Sequence, residues 1–158
     1  MEEKIELFSQ AGMEESCIRF IKRINDESKN GTSFNSSMQP RYEGCSFERK
    51  SLLVSFPVES YMRNPVGVMH GGALSGALDI AMGSLTFYMA GEFVTPTINL
   101  NVSFLRPVPV GKRLFVESTC LSCGKTMAYA TAKAWLEDQE DKILGSAAGT
   151  YYTASGMR

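Results

Sequence analysis

Asn64 to Gly91 reads NPVGVMHGGALSGALDIAMGSLTFYMAG, and Asp79 is the only formal charge in it. A carboxylate isolated in an apolar, glycine-rich segment is costly to bury, so it calls for a partner or a task. The only histidine of the protein, His70, lies nine positions earlier and is followed by two glycines. Gly71 to Ala90 is long enough to cross a bilayer, yet it holds Asp79, three serine or threonine residues and four glycines, without basic flanking clusters. These features predict a buried helix and no membrane span.

Residues 2–29 predict a helix. Glu14, Glu15, Lys22, Arg23, Asp26 and Glu27 form its polar face, and Cys17, Phe20, Ile21 and Ile24 its apolar one. Asn30-Gly31 would end it. A polar loop follows at 31–40, then strands at 42–48 and 51–58, where Pro57 implies an edge or a bulge. Beyond the central helix, alternation and turn residues predict strands at 97–105, 113–122, 125–137 and 142–153. Ala128, Ala130, Ala132 and Ala134 share one face, as do Gly145, Ala147 and Gly149. Gly72, Gly76 and Gly83 would allow equally close approach from the helix. An α+β domain follows, a curved antiparallel sheet wrapped around one long helix.

The length of 158 residues fits a single domain, with 1–40 as an N-terminal extension and about 41–155 as the core. A net charge of -1 gives no electrostatic case for nucleic acid. The start, MEEKIELFSQ, has no signal-peptide pattern, so a cytoplasmic protein without disulfides is expected. Cys120 and Cys123 form a CxxC in a strand-like run. With Cys17 and Cys45 they read as small buried apolar residues, and no metal site is expected.

Asn64-Pro65-x-Gly67-x-x-His70-Gly71-Gly72, followed by Asp79, resembles the hotdog-fold acyl-CoA thioesterases, closest to the PaaI-like phenylacetate-pathway group. Thr97–Leu105, Phe104–Gly111 and Gly124–Ala130 extend the resemblance, which covers roughly 45–153. It implies acyl-CoA hydrolysis without a cofactor other than the substrate's own coenzyme A. It implies that the Gly71 N–H polarises the thioester carbonyl, that Asn64 and His70 shape that site, and that Thr97 orients the attacking water. Asp79 is the candidate base or nucleophile. Gly72, Arg106, Lys112, Arg113 and Lys125 are the candidate substrate and CoA contacts.

The chemistry requires an oxyanion stabiliser and an activated nucleophile, and a helix N-terminus suits the first. Gly71 and Asp79 are eight positions apart, about 12 Å along a helix at ~1.5 Å per residue. One helix therefore does not bring both to one carbonyl, whereas two helices related by a two-fold axis do. An obligate homodimer with composite sites is expected, and the resemblance implies that such dimers often pair into dimers of dimers. Three other readings stay open. One is an acyl-thioester dehydratase or hydratase using His70 and Asp79. Another is a non-catalytic acyl-CoA-binding sensor or scaffold, and the third is a structural oligomer in which Asp79 holds a contact.

Overall fold

The computed structural model describes residues 6–27 and 33–154. In chain order it contains helices α1 (Gln10–Asp26), α2 (Phe34–Ser37) and α3 (Gly71–Met89). Its strands are β1 (Arg41–Ser46), β2 (Ser51–Pro57), β3 (Thr97–Phe104), β4 (Arg113–Cys123), β5 (Met127–Leu136) and β6 (Gly145–Tyr152). All six strands form one antiparallel sheet in the order β1-β2-β4-β5-β6-β3.

The quoted stretch does form the central helix. His70, extended at φ -63 and ψ 140, is its N-cap, and its side chain accepts from the Gly72 N–H. At the other end Gly91 turns the chain at φ +74, a left-handed conformation that glycine takes without strain. Leu74 is buried on α3, and Leu78, Met82, Leu85 and Tyr88 are fully so. The helix is apolar nearly all round because the sheet covers one side and α1 another. The small-residue face of the sheet meets it as the sequence implied: a Cβ on Gly145 would stand 3.0 Å from Leu74 Cδ2. The glycines of α3 divide the work differently. A Cβ on Gly76 would collide with the Phe34 ring of α2 at 2.4 Å, and one on Gly72 would meet the His70 ring, not the sheet.

The N-terminal elements depart from the expected boundaries. The helix begins at Gln10, not residue 2, because the Ser9 side chain caps it by accepting from Gly12 N–H. Residues 1–5 and the expected Asn30-Gly31 stop lie outside the described residues. The expected loop at 31–40 contains α2, closed by a Ser33–Ser36 capping box. Four residues are too few to show a helical period. Met13, Cys17, Ile21 and Ile24 of α1 are buried. Glu92, just past α3, tethers the helix by accepting from Ser16 Oγ and Arg19 Nη2.

Pro57 lies in an interior strand, but it extends past the last β1 partner, Arg41 opposite Ser55, so its missing N–H breaks no bond to β1. The cysteines stand as free thiols. Cys17 and Cys120 are buried, Cys45 is half-buried, and Cys123 is exposed, contrary to the reading of all four as buried. A bulge between Cys120 and Ser122 precedes Cys123 at the strand end. No helix among the described residues is long and apolar enough to cross a membrane.

Among the described residues the sheet ends at β3, which pairs with β6 alone. Ile98, Phe104 and the following Leu105 are more than half exposed along that edge. An unpaired edge strand is a template for pairing with another chain. The core itself depends on α3: Leu78→Ala, at a site with 0% exposure, should lower unfolding stability by about 3 kcal/mol, read by urea denaturation.

Candidate active site

Asp79 sits on the flank of α3, half-buried. Its Oδ1 accepts from Thr97 Oγ1 at 2.9 Å and from Tyr151 OH at 2.8 Å. The two donors are cross-strand partners, Thr97 of β3 opposite Tyr151 of β6, so one rung of the sheet delivers both hydroxyls. Oδ2 takes no hydrogen bond from the described residues. It is open to solvent, since no buried side-chain oxygen lacks a partner among the described residues. The carboxylate is thus held through one oxygen and free at the other.

Tyr151 is the residue that sequence reasoning missed. The available signal was its place on the inward face of β6, two positions beyond Gly149. A large side chain there needs space, and Gly149 supplies it: a Cβ on Gly149 would lie 2.9 Å from the Tyr151 ring. Burial first, then the Asp79 charge and the hydrogen bond to it, push the Tyr151 phenol far above its ordinary value of 10.0. The phenol therefore stays a neutral donor at physiological pH. Its folded pKa lies above its unfolded one, so its contribution to stability is full below the unfolded value and is lost as pH rises past about 10. Tyr151→Phe should flatten the alkaline loss of stability in a pH series of thermal melts.

The other end of α3 is built for a different task. His70 N–H donates to Met62 O at 2.7 Å and Met69 N–H to Val108 O at 2.9 Å, which fixes the entry to the helix. His70 Nδ1 takes the Gly72 N–H at 2.8 Å. Ala73 and Leu74 N–H both turn to His70 O. The Gly71 N–H alone is left without a partner among the described residues, at the positive end of the helix dipole. Asn64 organises the preceding turn: its Oδ1 accepts from Val66 and Val68 N–H at 3.1 and 3.2 Å.

Two separate cavities serve these two ends. One of about 330 Å³ touches Asn64, Gly71, Phe104 and Arg106. Another of about 310 Å³ touches Asp79 and Thr97 and runs under α1. Thr97 and Asp79 are therefore brought together, as are Asn64, His70, Gly71 and Gly72, but the two groups are not brought to each other within one chain. The basic residues scatter. Arg106 donates to Ile143 O at 2.5 Å beside the Gly71 cavity. Lys112 is exposed before β4, and Arg113 is turned to Ser55 Oγ at 2.9 Å. Lys125 lies in the β4–β5 turn beside the C-terminal end of α3. Of the apolar side chains around α3, Phe87 lines the Asp79 cavity and Met69 the Gly71 cavity, while Met82, Leu85 and Tyr88 are core.

A long helix cradled by a six-stranded antiparallel sheet, with a glycine N-terminus and a mid-helix carboxylate, defines the hotdog class. Comparison with known proteins agrees. Residues 66–143 match the thioesterase superfamily. A protein of Thermoplasma acidophilum named as an esterase is 30% identical over 103 residues, covering 65% of this chain and 75% of that protein. The bovine acyl-coenzyme A thioesterase THEM4 is 30% identical over 99 residues, 54% of this chain but only 40% of the longer bovine protein. The Escherichia coli PaaI protein of the phenylacetic acid degradation operon superposes with a TM-score of 0.69 at 16% identity, over 89% of this chain and 98% of that one. That last likeness is one of fold. The chain belongs to the thioesterase superfamily, whose chemistry is thioester hydrolysis.

Proposed function

We propose that this protein hydrolyses acyl-CoA to a free acid and coenzyme A at composite sites formed by two copies of the chain. The observation that carries this reading is the division of labour along α3: an unpartnered Gly71 N–H at its start, and an oriented, half-open Asp79 carboxylate two turns later. In an antiparallel pair of such helices, Gly71 of one copy faces Asp79 of the other. The unpaired β3 edge starts at Thr97 and offers a seam on which two sheets could join.

In this mechanism Asp79 Oδ2 accepts a proton from water while the water oxygen attacks the thioester carbon. Thr97 and Tyr151 hold the carboxylate through Oδ1, and a lone pair of the Thr97 hydroxyl is available to the water. The partner's Gly71 N–H stabilises the oxyanion. Collapse breaks the carbon–sulfur bond, and the departing CoA thiolate takes the proton. Direct attack by Asp79, with a mixed anhydride then hydrolysed by water, uses the same geometry. Arg106, beside the Gly71 cavity, is the best placed of the four basic residues for a CoA phosphate.

Release of free thiol from acetyl-, medium-chain, long-chain, benzoyl- and phenylacetyl-CoA tests the proposal directly. Turnover of at least one ester supports it. Binding of acyl-CoA without turnover of any ester moves the assignment to a non-catalytic acyl-CoA-binding protein.

A further inference from the structure

The Asp79 cavity continues well past the carboxylate. It runs along one face of α3 through Ile80 and Gly83 to Phe87, roofed by Phe20 and Ile24 of α1. Asp79 to Phe87 is eight positions, or about 12 Å. The far end is closed by the Phe20 and Phe87 rings, stacked with centroids 4.2 Å apart and planes 19° from parallel. The Arg23 guanidinium lies 4.9 Å from the Phe20 centroid and 5.5 Å from that of Phe87, which clamps the pair.

The hydroxyls at the base of the groove are already satisfied, while Arg23, Glu27 and Asn35, which also line it, are exposed. Ser84 Oγ donates to Ile80 O at 2.7 Å, and the Thr86 and Thr95 hydroxyls bond each other at 2.9 Å. Such a base asks nothing polar of an occupant, so an apolar one lying on it leaves no buried hydroxyl unpaired. A carboxylate at one end, a base of Ile80, Gly83 and satisfied hydroxyls, and an aromatic stop at the other describe a channel for a hydrocarbon chain whose first atoms sit at Asp79. An extended chain advances ~1.25 Å per bond given bond lengths of ~1.5 Å, so about 12 Å takes roughly ten carbons.

We propose that the groove between α1 and α3 receives a linear, medium-length acyl tail, and that α1, through Phe20 clamped by Arg23, sets the chain length. The N-terminal helix, not the hotdog core, is then the specificity element. This inference rests on the thioesterase reading.

The test compares wild type, Phe20→Ala and Val94→Trp on straight-chain acyl-CoAs from acetyl to palmitoyl, with phenylacetyl-CoA alongside. Val94 lines the groove and is 70% exposed, so a tryptophan there obstructs the channel without entering the core. In wild type, kcat/KM should climb about fourfold per methylene and level off near about ten carbons. Val94→Trp should lower the decanoyl-to-acetyl ratio of kcat/KM by about tenfold or more. Phe20→Ala should move the plateau to longer chains. A chain-length profile unchanged by both variants, in an enzyme that still turns over, overturns the α1 assignment and leaves the thioesterase reading standing. A phenylacetyl-CoA rate above every straight chain also overturns it. Should wild type hydrolyse nothing, the thioesterase reading fails, and calorimetric binding of decanoyl-CoA decides the groove. Affinity about tenfold weaker in Val94→Trp supports it, and equal affinity overturns it.

Discussion

Asp79→Asn is expected to lower kcat for acyl-CoA hydrolysis about a thousandfold, with KM little changed and the fold intact. The amide is the same size and its oxygen can still accept from Thr97 and Tyr151, so the 2.9 Å and 2.8 Å bonds have an acceptor to keep. What is lost is the free, charged oxygen. An amide neither takes a proton from water nor attacks a carbonyl. Circular dichroism, elution volume and steady-state kinetics on one preparation separate this outcome from unfolding. Wild-type turnover in Asp79→Asn would remove the carboxylate from the mechanism and return it to a structural role.

Gly71→Pro is the complementary experiment, and its expected effect is a loss on the order of a hundredfold in kcat. Proline deletes the N–H proposed to hold the oxyanion, and little else. The first position of a helix tolerates proline, and His70 before it already has the extended backbone that proline demands. The nearest obstacle to a Cβ there is the exposed Phe104 ring at 3.3 Å, which has room to turn. The larger prediction comes from mixing. If each site takes Gly71 from one copy and Asp79 from the other, a hybrid of Asp79→Asn with Gly71→Pro contains one intact site and one doubly damaged site. Random pairing then restores roughly a quarter of wild-type activity from two inactive proteins. Activity that never exceeds the sum of the two parents would place both groups in one chain and end the composite-site proposal.

Much of the fold was legible because its signals are local. An apolar run with a single charge, glycines at its start and alternating strands around it specify a central helix and a sheet that embraces it. The alanine row of β5 and the small residues of β6 point inward as their two-residue period requires. The N-terminal region carries weaker local signals. Ser9 starts α1 later than the charge pattern suggested, and α2 is held by a capping box too short to register as a period. Gly72 and Gly76 matched the expectation of close packing but not its direction, because which neighbour fills the bare side of a glycine is a tertiary matter.

The site divides in the same way. Asp79 and the His70-Gly71-Gly72 start are visible in one stretch of chain, and Thr97 was reached through resemblance. Tyr151 was not, although it donates the shorter of the two bonds to Asp79 across a separation of 72 positions. The Phe20–Phe87 stack joins residues from two different helices in the same way.

By itself the sequence determined the central helix, the succession of strands along the chain, the inward faces of β5 and β6 and the spacing that keeps Gly71 and Asp79 apart. These follow from backbone sterics and periodicity, which act over a few residues. Only the tertiary structure decided which oxygen of Asp79 is bound and which is open, which N–H of the helix start is left unpartnered, and where the groove ends. Those depend on long loops closing to bring distant side chains within a few ångströms, and no local pattern encodes that distance.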